Sequence, residues 1–320
     1  MGGVRLTKKG ASLYPLQFEG GAGAERRRML FVSSLPLARS IREGVDKVNA
    51  RIASFKRSDF SGKELFDSAT YTLKRQGKMV RPALVLLGAK LIGEDTNEFV
   101  DMATAAELLH TASLVHDDII DRDMMRRGTA AAHVKYGQET ALLAGDALIA
   151  KAVSMAARYG PKVVKTVADA SIDMCAGELL DYSFQKDAGL PGVREYLRMA
   201  RLKNGVFMGT CASIAATYRR SKKSLALYGF GLSLGVAFQI RDDIIEIVDA
   251  GERRANGGRP GERPSPNLVN VFARQFGIDE EEAVENAIGL NNYFADHALR
   301  FVEGEREIAP YVDFVRVRSK

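Results

Sequence analysis

The chain contains few of the features that mark specialised classes of protein. Only two of its 320 residues are cysteines, Cys175 and Cys211, too few for a disulfide framework and not spaced as in a metal or redox motif. No apolar run comes near the roughly 20 residues needed to span a bilayer, and the first residues contain no apolar signal-peptide core. These absences predict a cytoplasmic protein with reduced thiols and no stable membrane anchor.

Excess positive charge is small and lies mainly at one end. Residues 1–28 hold six Lys or Arg and two Glu, and therefore account for +4 of the net charge of +6. No basic stripe interleaved with aromatic residues follows, so nucleic-acid binding is not predicted. Residues 1–28 are also rich in glycine and without periodicity, which predicts a disordered tail before a catalytic domain at 29–320. Met29 is a possible second start.

The body of the chain has the pattern of long helices. No proline lies between Pro82 and Pro161 or between Pro191 and Pro260, and both stretches are rich in the helix formers Ala, Leu, Met and Glu. Apolar residues recur three and four positions apart, on more than one helix face, and strand-like alternation is scarce. The closest to a strand is 315–318, and loops are predicted at 185–192 and 250–266. The sequence thus predicts an all-α fold, a single large helical bundle.

Two acidic clusters follow apolar helical runs. The first is residues 116–121 (HDDIID) and the second residues 239–246 (QIRDDIIE). Because positions i and i+4 share a helix face, Asp117 and Asp121 point the same way, and so do Asp242 and Glu246. Carboxylates so placed repel one another unless a cation or water compensates, and Mg²⁺ commonly takes one or two carboxylates plus substrate phosphates. A single cluster would be read as a charged helix end, whereas two predict a diphosphate clamped through magnesium.

Cationic residues are spaced around these clusters. Arg126 and Arg127 follow the first cluster, Lys78 and Arg81 precede it, and Lys203 lies between the two. Arginine forks suit phosphate oxygens, and lysine acts as a point charge. Each residue alone would be a solvated surface charge, but their order around two acidic clusters favours diphosphate binding.

These motifs resemble those of the trans-isoprenyl diphosphate synthases, which make geranylgeranyl and longer prenyl diphosphates. Residues 107–128 look like the first aspartate-rich block of that family, and residues 238–243 (FQIRDD) look like the second. The similarity extends from about Lys78 to Glu246. It implies a bundle of the isoprenoid synthase type with a central active-site cavity, a homodimer, and two substrates, isopentenyl diphosphate and an allylic diphosphate.

The resemblance also implies a role for each matching residue. Mg²⁺, with Mn²⁺ as an alternative, would be held as three ions by six acidic residues: Asp117, Asp118, Asp121, Asp242, Asp243 and Glu246. Arg126 and Lys203 would contact the allylic diphosphate, and Gln239 would line the reacting centre. The diphosphate of isopentenyl diphosphate would be held by Lys78, Arg81, His110 and Arg127. Glu178 and Asp181 would lie near metal-bound water.

Product length is expected to depend on the helix before Asp117. Leu109 and Ser113 lie two turns and one turn before Asp117, and Ala112 lies beside Ser113. In the family, bulky aromatic residues at the positions of Ala112 and Ser113 stop growth at about fifteen carbons. The small residues here predict a product of at least twenty carbons, shortened by Ala112→Phe.

Three features depart from the family pattern. The loop at residues 258–267 lacks the usual lysine and aspartate, although Arg259 or Arg263 could replace the lysine charge. The second cluster ends in Glu246 instead of Asp, and Asn204 stands where the family has Thr. Two further functions therefore stay open. One is a class I terpene cyclase, although such an enzyme would have no use for Lys78, Arg81 and Arg127. The other is a non-catalytic subunit of a heteromeric synthase. A plain helical scaffold would leave the paired motifs unexplained.

Overall fold

The protein was analysed as a computed structural model that describes residues 38–75, 77–186, 191–255, 266–305 and 308–317. The expected tail at 1–28, Met29 and most of the divergent loop at 258–267 lie outside these ranges, so the expectations for them stay predictions.

Helices make up most of the described chain, which confirms the all-α prediction. A π-helical turn at Arg201–Gly205 interrupts the helices, and short 3-10 turns occur at Arg57–Phe60, Thr96–Phe99 and Ala157–Tyr159. The α-helices are α1 Arg39–Ala53, α2 Lys63–Leu73, α3 Val80–Leu91, α4 Val100–Ile120, α5 Ala132–Tyr136, α6 Gln138–Ala156, α7 Pro161–Lys186, α8 Val193–Ala200, α9 Val206–Tyr218, α10 Ser224–Ala255, α11 Leu268–Phe276, α12 Glu280–Arg300 and α13 Ala309–Val317.

The most apolar helices form the centre of the bundle. Nearly every residue of α3 and of α9 is buried, as expected for helices that are apolar on all faces. Gly88 of α3 lies against the carbonyl oxygen of Ala212 in α9, so closely that a β-carbon there would be 2.1 Å from that oxygen. Helices α4 and α10, which carry the two acidic clusters, pack onto this pair from either side. The central helices therefore fix where the clusters lie.

Prolines mark helix starts, as the proline-free stretches predicted. Pro82 lies in the first turn of α3 and Pro161 is the first residue of α7, positions where the missing N–H has no helical partner to lose. Two loop predictions need correction at their edges, because α7 continues through Lys186 and α10 through Ala255. The strand-like pattern at 315–318 does not form a strand: residues 315–317, which the structure describes, are the last residues of α13.

A small hairpin follows α4 that the sequence analysis did not anticipate. Strands β1 Met125–Arg126 and β2 Thr129–Ala130 pair in antiparallel register around a two-residue turn. Both turn residues, Arg127 and Gly128, have positive φ angles, as required by a type I′ turn. The hairpin turns Arg126 back towards the end of α4.

One segment contradicts the expectation that no stretch is apolar enough to cross a membrane. Gln138–Tyr159 has 22 residues, and its most apolar window has a mean hydropathy of 1.4 with 39% of that window buried. Core helices of soluble proteins meet the same criterion. Within this segment α6 packs along α4, with Ala144, Leu148 and Ala152 buried in the main hydrophobic core.

Candidate active site

A single cavity of about 1850 Å³ brings the predicted polar residues together. Its walls come from α3, α4, α6, α7, the π-helical turn and α10, with the hairpin after α4 at its edge. Gln239 and all six predicted substrate-binding residues line it, namely Lys78, Arg81, His110, Arg126, Arg127 and Lys203. Residues that are far apart in the sequence therefore line the same cavity.

Only one carboxylate of each acidic cluster lines this cavity. Asp117 in α4 and Asp242 in α10 do so. Asp121, which directly follows the last residue of α4, is exposed and accepts a 3.4 Å hydrogen bond from Gln185. Glu246 is exposed too, and Asn267 donates to its carboxylate at 3.5 Å.

Asp118 points away from Asp117 and towards the hairpin. It is buried, and its Oδ1 accepts a 2.6 Å hydrogen bond from Nε of Arg126 and a second bond from the Nη2 of the same guanidinium. Metal ligation by Asp118, as the resemblance implies, would require this pair to break. In this arrangement Asp118 instead orients Arg126, which the hairpin brings over the end of α4.

Asp243 is similarly occupied inside the protein. Its Oδ2 accepts from the hydroxyl of Tyr196 at 2.6 Å and from the backbone N–H of Leu268 at 2.8 Å, while Gln239 donates to Oδ1 at 2.9 Å. Burial raises the pKa of Asp243 to about 7 against these hydrogen bonds. The geometry makes Asp243 a residue that joins α8, α10 and α11, and direct metal ligation would require it to leave three partners.

Asp117 is in an environment that disfavours its charge. Burial and the nearby charge of Glu178 raise its pKa to about 7, with a further contribution from Asp121, while Lys203 opposes the shift. A carboxylate held under such repulsion is stabilised by a bound cation.

The donor set fits magnesium completed by substrate oxygens. Among the residues that the structure describes, no group of three or more His, Cys, Asp or Glu side chains is arranged to hold a metal ion. Asp117 and Asp242 nevertheless face the same cavity from opposite helices. Mg²⁺ usually takes one or two carboxylates and fills its remaining positions with water and phosphate oxygens, which agrees with this arrangement.

Lys203 forms the cationic centre beside Asp117. Its Nζ lies 2.8 Å from Glu178 and 2.5 Å from Asp181, both on α7, and these charges together with Asp117 raise its pKa although burial opposes this. The ammonium therefore stays charged. The polar pair inferred from the resemblance, Glu178 and Asp181, holds Lys203 at the cavity wall.

The backbone that carries Lys203 is fixed between glycines. Lys203 and Asn204 lie in the π-helical turn, a feature common at functional sites. On one side a β-carbon on Gly177 of α7 would be 2.3 Å from the backbone nitrogen of Lys203, and on the other Gly205 and Gly235 bring the turn against α10. Because no side chains separate these backbones, the turn has little freedom to shift.

Another part of the cavity wall, which carries Lys78, Arg81 and Arg127, is cationic. Nη1 of Arg81 lies 3.1 Å from Nε2 of His110, and because a guanidinium only donates, the imidazole accepts at Nε2. Burial and the neighbouring arginines lower the pKa of His110 well below its usual value, so the ring is neutral. Arg127 donates to the carbonyl oxygen of Arg75, and Lys78 lies 5.5 Å from the ring centre of Phe314 in α13.

The residues expected to control chain length divide into two groups. Leu109 and Ser113 line the cavity, whereas Ala112 is fully buried and is not part of its wall. The sequence expectation that Ala112 and Ser113 act together therefore does not follow from this geometry, which favours Ser113.

Glu107, the first residue of the block at 107–128, is a buried acid. It lies at the cavity wall in α4, and burial raises its pKa to about 7 although Arg81 and Arg127 oppose the shift. The folded protein therefore keeps a proton that the unfolded chain, with a pKa near 4.5, has lost. Folding is thus less favourable as the pH rises from about 4.5 to 7, and the cost is constant above that range.

We expect Glu107→Gln to raise the free energy of unfolding by up to about 3 kcal/mol at about pH 8 and to leave it unchanged at about pH 4. Chemical denaturation at both pH values measures this difference. Glu285→Gln, at an exposed position of α12, serves as the control and should have no effect at either pH. An equal gain at both pH values would contradict the assignment of the proton to Glu107.

Comparison with known proteins gives a consistent result. Residues 62–288 match the family model for polyprenyl synthetases. A geranylgeranyl pyrophosphate synthase from Geoglobus acetivorans is 34% identical over 272 residues, covering 78% of this chain and 85% of that protein. A geranylfarnesyl diphosphate synthase from Aeropyrum pernix is 29% identical over 289 residues, covering 80% and 90%. A solved structure of the Geoglobus acetivorans synthetase superposes with a TM-score of 0.74 at 28% identity, covering 87% of this chain and 99% of that one.

Proposed function

The chain belongs to the polyprenyl synthetase family, and from this premise we propose that it is a magnesium-dependent prenyltransferase that adds isopentenyl diphosphate head to tail to an allylic diphosphate. The observation that carries the proposal is the meeting of Asp117, Asp242 and six cationic or imidazole side chains in one cavity. We assign this activity to a catalytic domain at residues 29–320. The synthases named among its relatives favour a product of twenty carbons or more.

Each wall of the cavity has its own task in this proposal. Lys203 and Arg126 bind the allylic diphosphate near Asp117, with Asp121, Asp242 and Glu246 as the further acidic residues for up to three magnesium ions. When bound, magnesium neutralises charge on the departing diphosphate and so assists ionisation of the allylic carbon–oxygen bond. The second substrate is held on the cationic wall by Lys78, Arg81, His110 and Arg127.

Bond formation then needs a dry space. Once the allylic carbon–oxygen bond has ionised, the double bond of isopentenyl diphosphate attacks the cationic allylic carbon, and the departed diphosphate accepts the proton that is then lost. Leu114, Met174 and Phe238 supply apolar wall, which keeps water from the cationic carbon. Gln239 and Asp242 line the same cavity.

The test is an incubation of the purified protein with Mg²⁺, labelled isopentenyl diphosphate, and geranyl or farnesyl diphosphate, with a parallel reaction in Mn²⁺. Labelled chains of twenty carbons or more support the proposal. Diphosphate release without incorporation would indicate a cyclase or a hydrolase, and no turnover with any primer would favour a non-catalytic subunit.

Chain length is expected to respond to Ser113 more than to Ala112. A phenylalanine at Ser113 would project into the cavity and block it, so we expect Ser113→Phe to shift the main product to about fifteen carbons. Ala112→Phe would instead place a large ring in a fully packed site, where overpacking costs about 1–3 kcal/mol, and should mainly reduce stability. Product sizing and thermal unfolding of both variants separate these effects. Shortening by Ala112→Phe alone would reverse this assignment.

We further propose that the protein is a cytoplasmic homodimer joined through α6 and α7. These neighbouring helices expose large apolar side chains, including Leu143 at 59% and Ile172 at 68% of their full accessible area. A second copy would cover this face, which also explains why the Gln138–Tyr159 segment is apolar yet only partly buried.

We expect Leu143→Glu combined with Ile172→Glu to produce a monomer, because both charges would lie in the proposed interface. Light scattering coupled to gel filtration measures the mass. Leu225→Glu is the matched control, since Leu225 is 80% exposed at the start of α10, and should leave the mass unchanged. A dimer that survives the double substitution would place the interface elsewhere.

A further inference from the structure

A row of hydrogen bonds crosses the cavity wall from the cationic side to the second acidic cluster. Nη2 of Arg81 donates to Oδ1 of Asn204 at 2.8 Å, and Nδ2 of Asn204 donates to Oε1 of Gln239 at 2.5 Å. Nε2 of Gln239 then donates to Oδ1 of Asp243 at 2.9 Å. Asn204 is thus the only link of this row contributed by the π-helical turn.

The chemistry of the two ends fixes the direction of the row. A guanidinium can only donate, so the atom of Asn204 that faces Arg81 must be its oxygen. The amide nitrogen of Asn204 must then face an acceptor, which is the oxygen of Gln239. The nitrogen of Gln239 is left to face the carboxylate of Asp243, which accepts. Each amide therefore has one satisfactory orientation.

Both ends of the row are themselves held in place. Arg81 and Asp243 are buried, and Arg81 also donates to His110. Asp243 accepts at its other oxygen from Tyr196 and from the backbone of Leu268. Asn204 therefore lies between two anchored groups, and its amide offers a separate acceptor and donor, whereas the threonine usual in the family would have to serve both neighbours through one hydroxyl.

We propose that Asn204 is a positioning residue that holds Arg81 ready for the diphosphate of isopentenyl diphosphate and sets the amide orientation of Gln239. The identity of that diphosphate rests on the proposed function, while the direction of the hydrogen bonds does not. Asn204 acts through the hydrogen bonds that it makes with Arg81 and Gln239.

The first test separates the two substrates. Asn204→Leu keeps the size of the side chain but removes both hydrogen bonds, so Arg81 loses the acceptor that orients it. We expect the Kd for isopentenyl diphosphate, measured by calorimetry, to rise about tenfold. The Kd for the allylic diphosphate, bound through Lys203 and Arg126, should change less than about twofold. Equal losses for both substrates, or none, would overturn the proposal.

The second test reverses the direction of the row. Asn204→Asp still accepts from Arg81 but turns the amide of Gln239, whose oxygen would then face the Asp243 carboxylate. Asp243→Asn supplies an N–H to that oxygen and keeps its own oxygen for Tyr196 and Leu268. We expect each single substitution to lower Tm by several degrees and the double variant to recover most of that loss.

The two tests distinguish this inference from the proposed function. If the unaltered protein neither binds nor condenses isopentenyl diphosphate, the proposed function fails, and the recovery of Tm in the double variant still decides the hydrogen-bond direction. If the unaltered protein is active but the losses in Tm simply add, the directed row is wrong and the proposed function stands.

Discussion

Replacing Asp117 with asparagine is expected to lower kcat by about a thousandfold or more and, in the absence of metal, to make the protein more resistant to heat. The loss in rate follows from removing the charge of a carboxylate that we propose as a magnesium ligand, because a contribution of several kcal/mol to the transition state corresponds to at least that factor. The gain in Tm follows because Asp117 is partly buried beside Glu178 and Asp121, where its charge is unfavourable. Opposite changes in activity and stability are typical of residues kept for function.

Two comparison variants make this result specific. Asp118→Asn should change Tm less, because the charge-assisted bonds from Arg126 oppose the burial that raises the pKa of Asp118. Asp169→Asn, at an exposed i,i+4 pair with Lys165 on α7, should change neither property. Thermal unfolding in chelator and steady-state kinetics in excess Mg²⁺ measure both quantities. An Asp117→Asn variant that kept its rate would remove Asp117 from the metal site.

The helical fold could be predicted because its signals are local. Proline-free stretches and apolar spacing indicated the long helices, and the prolines indeed lie at the starts of α3 and α7. The end of α10 was misjudged because Gly251 suggests a turn when read alone, although the helix continues past it to Ala255. The hairpin was missed because strands of two residues are too short to show alternation, and because Arg127 is not one of the residues that usually precede the glycine of a type I′ turn.

The sequence predicted which residues form the site better than it predicted the directions in which their side chains point. Every predicted cationic residue that the structure describes lines the cavity, because the order of motifs along helices carries that information. The adjacent aspartates could not both face it, since neighbouring helix residues differ by about 100° in direction. That rule, applied to the sequence, would already have turned Asp118 and Asp243 away from Asp117 and Asp242.

Close backbone contacts left no readable signal in the sequence. Gly177 is a single glycine in the middle of α7, and nothing in its neighbours indicates that Lys203, 26 positions later, lies against it. Such a contact depends on the packing of two helices, and the π-helical turn that it supports is equally absent from any local pattern. The residues that position Lys203 and Asn204 are therefore visible only in three dimensions.

Gly177→Ala should consequently lower kcat/KM about a hundredfold. The added β-carbon would lie 2.3 Å from the backbone nitrogen of Lys203 and 2.7 Å from its Cα, so the π-helical turn has to move away from α7. A displacement of about 1 Å at a positioning group is enough for such a loss. Lys203 would move away from Glu178 and Asp181, and Asn204 would move with it.

The control for this effect is the same substitution in a helix where space is free. A β-carbon on Gly289 of α12 meets nothing within 4 Å, so Gly289→Ala should raise the free energy of unfolding by up to about 1 kcal/mol and leave the kinetics unchanged. Both variants gain the same helix propensity, so any difference between them measures the contact with the turn. If Gly177→Ala were as active as the unaltered protein, the position of Lys203 could not depend on this contact, and the binding of Lys203 by Glu178 and Asp181 would have to fix it alone.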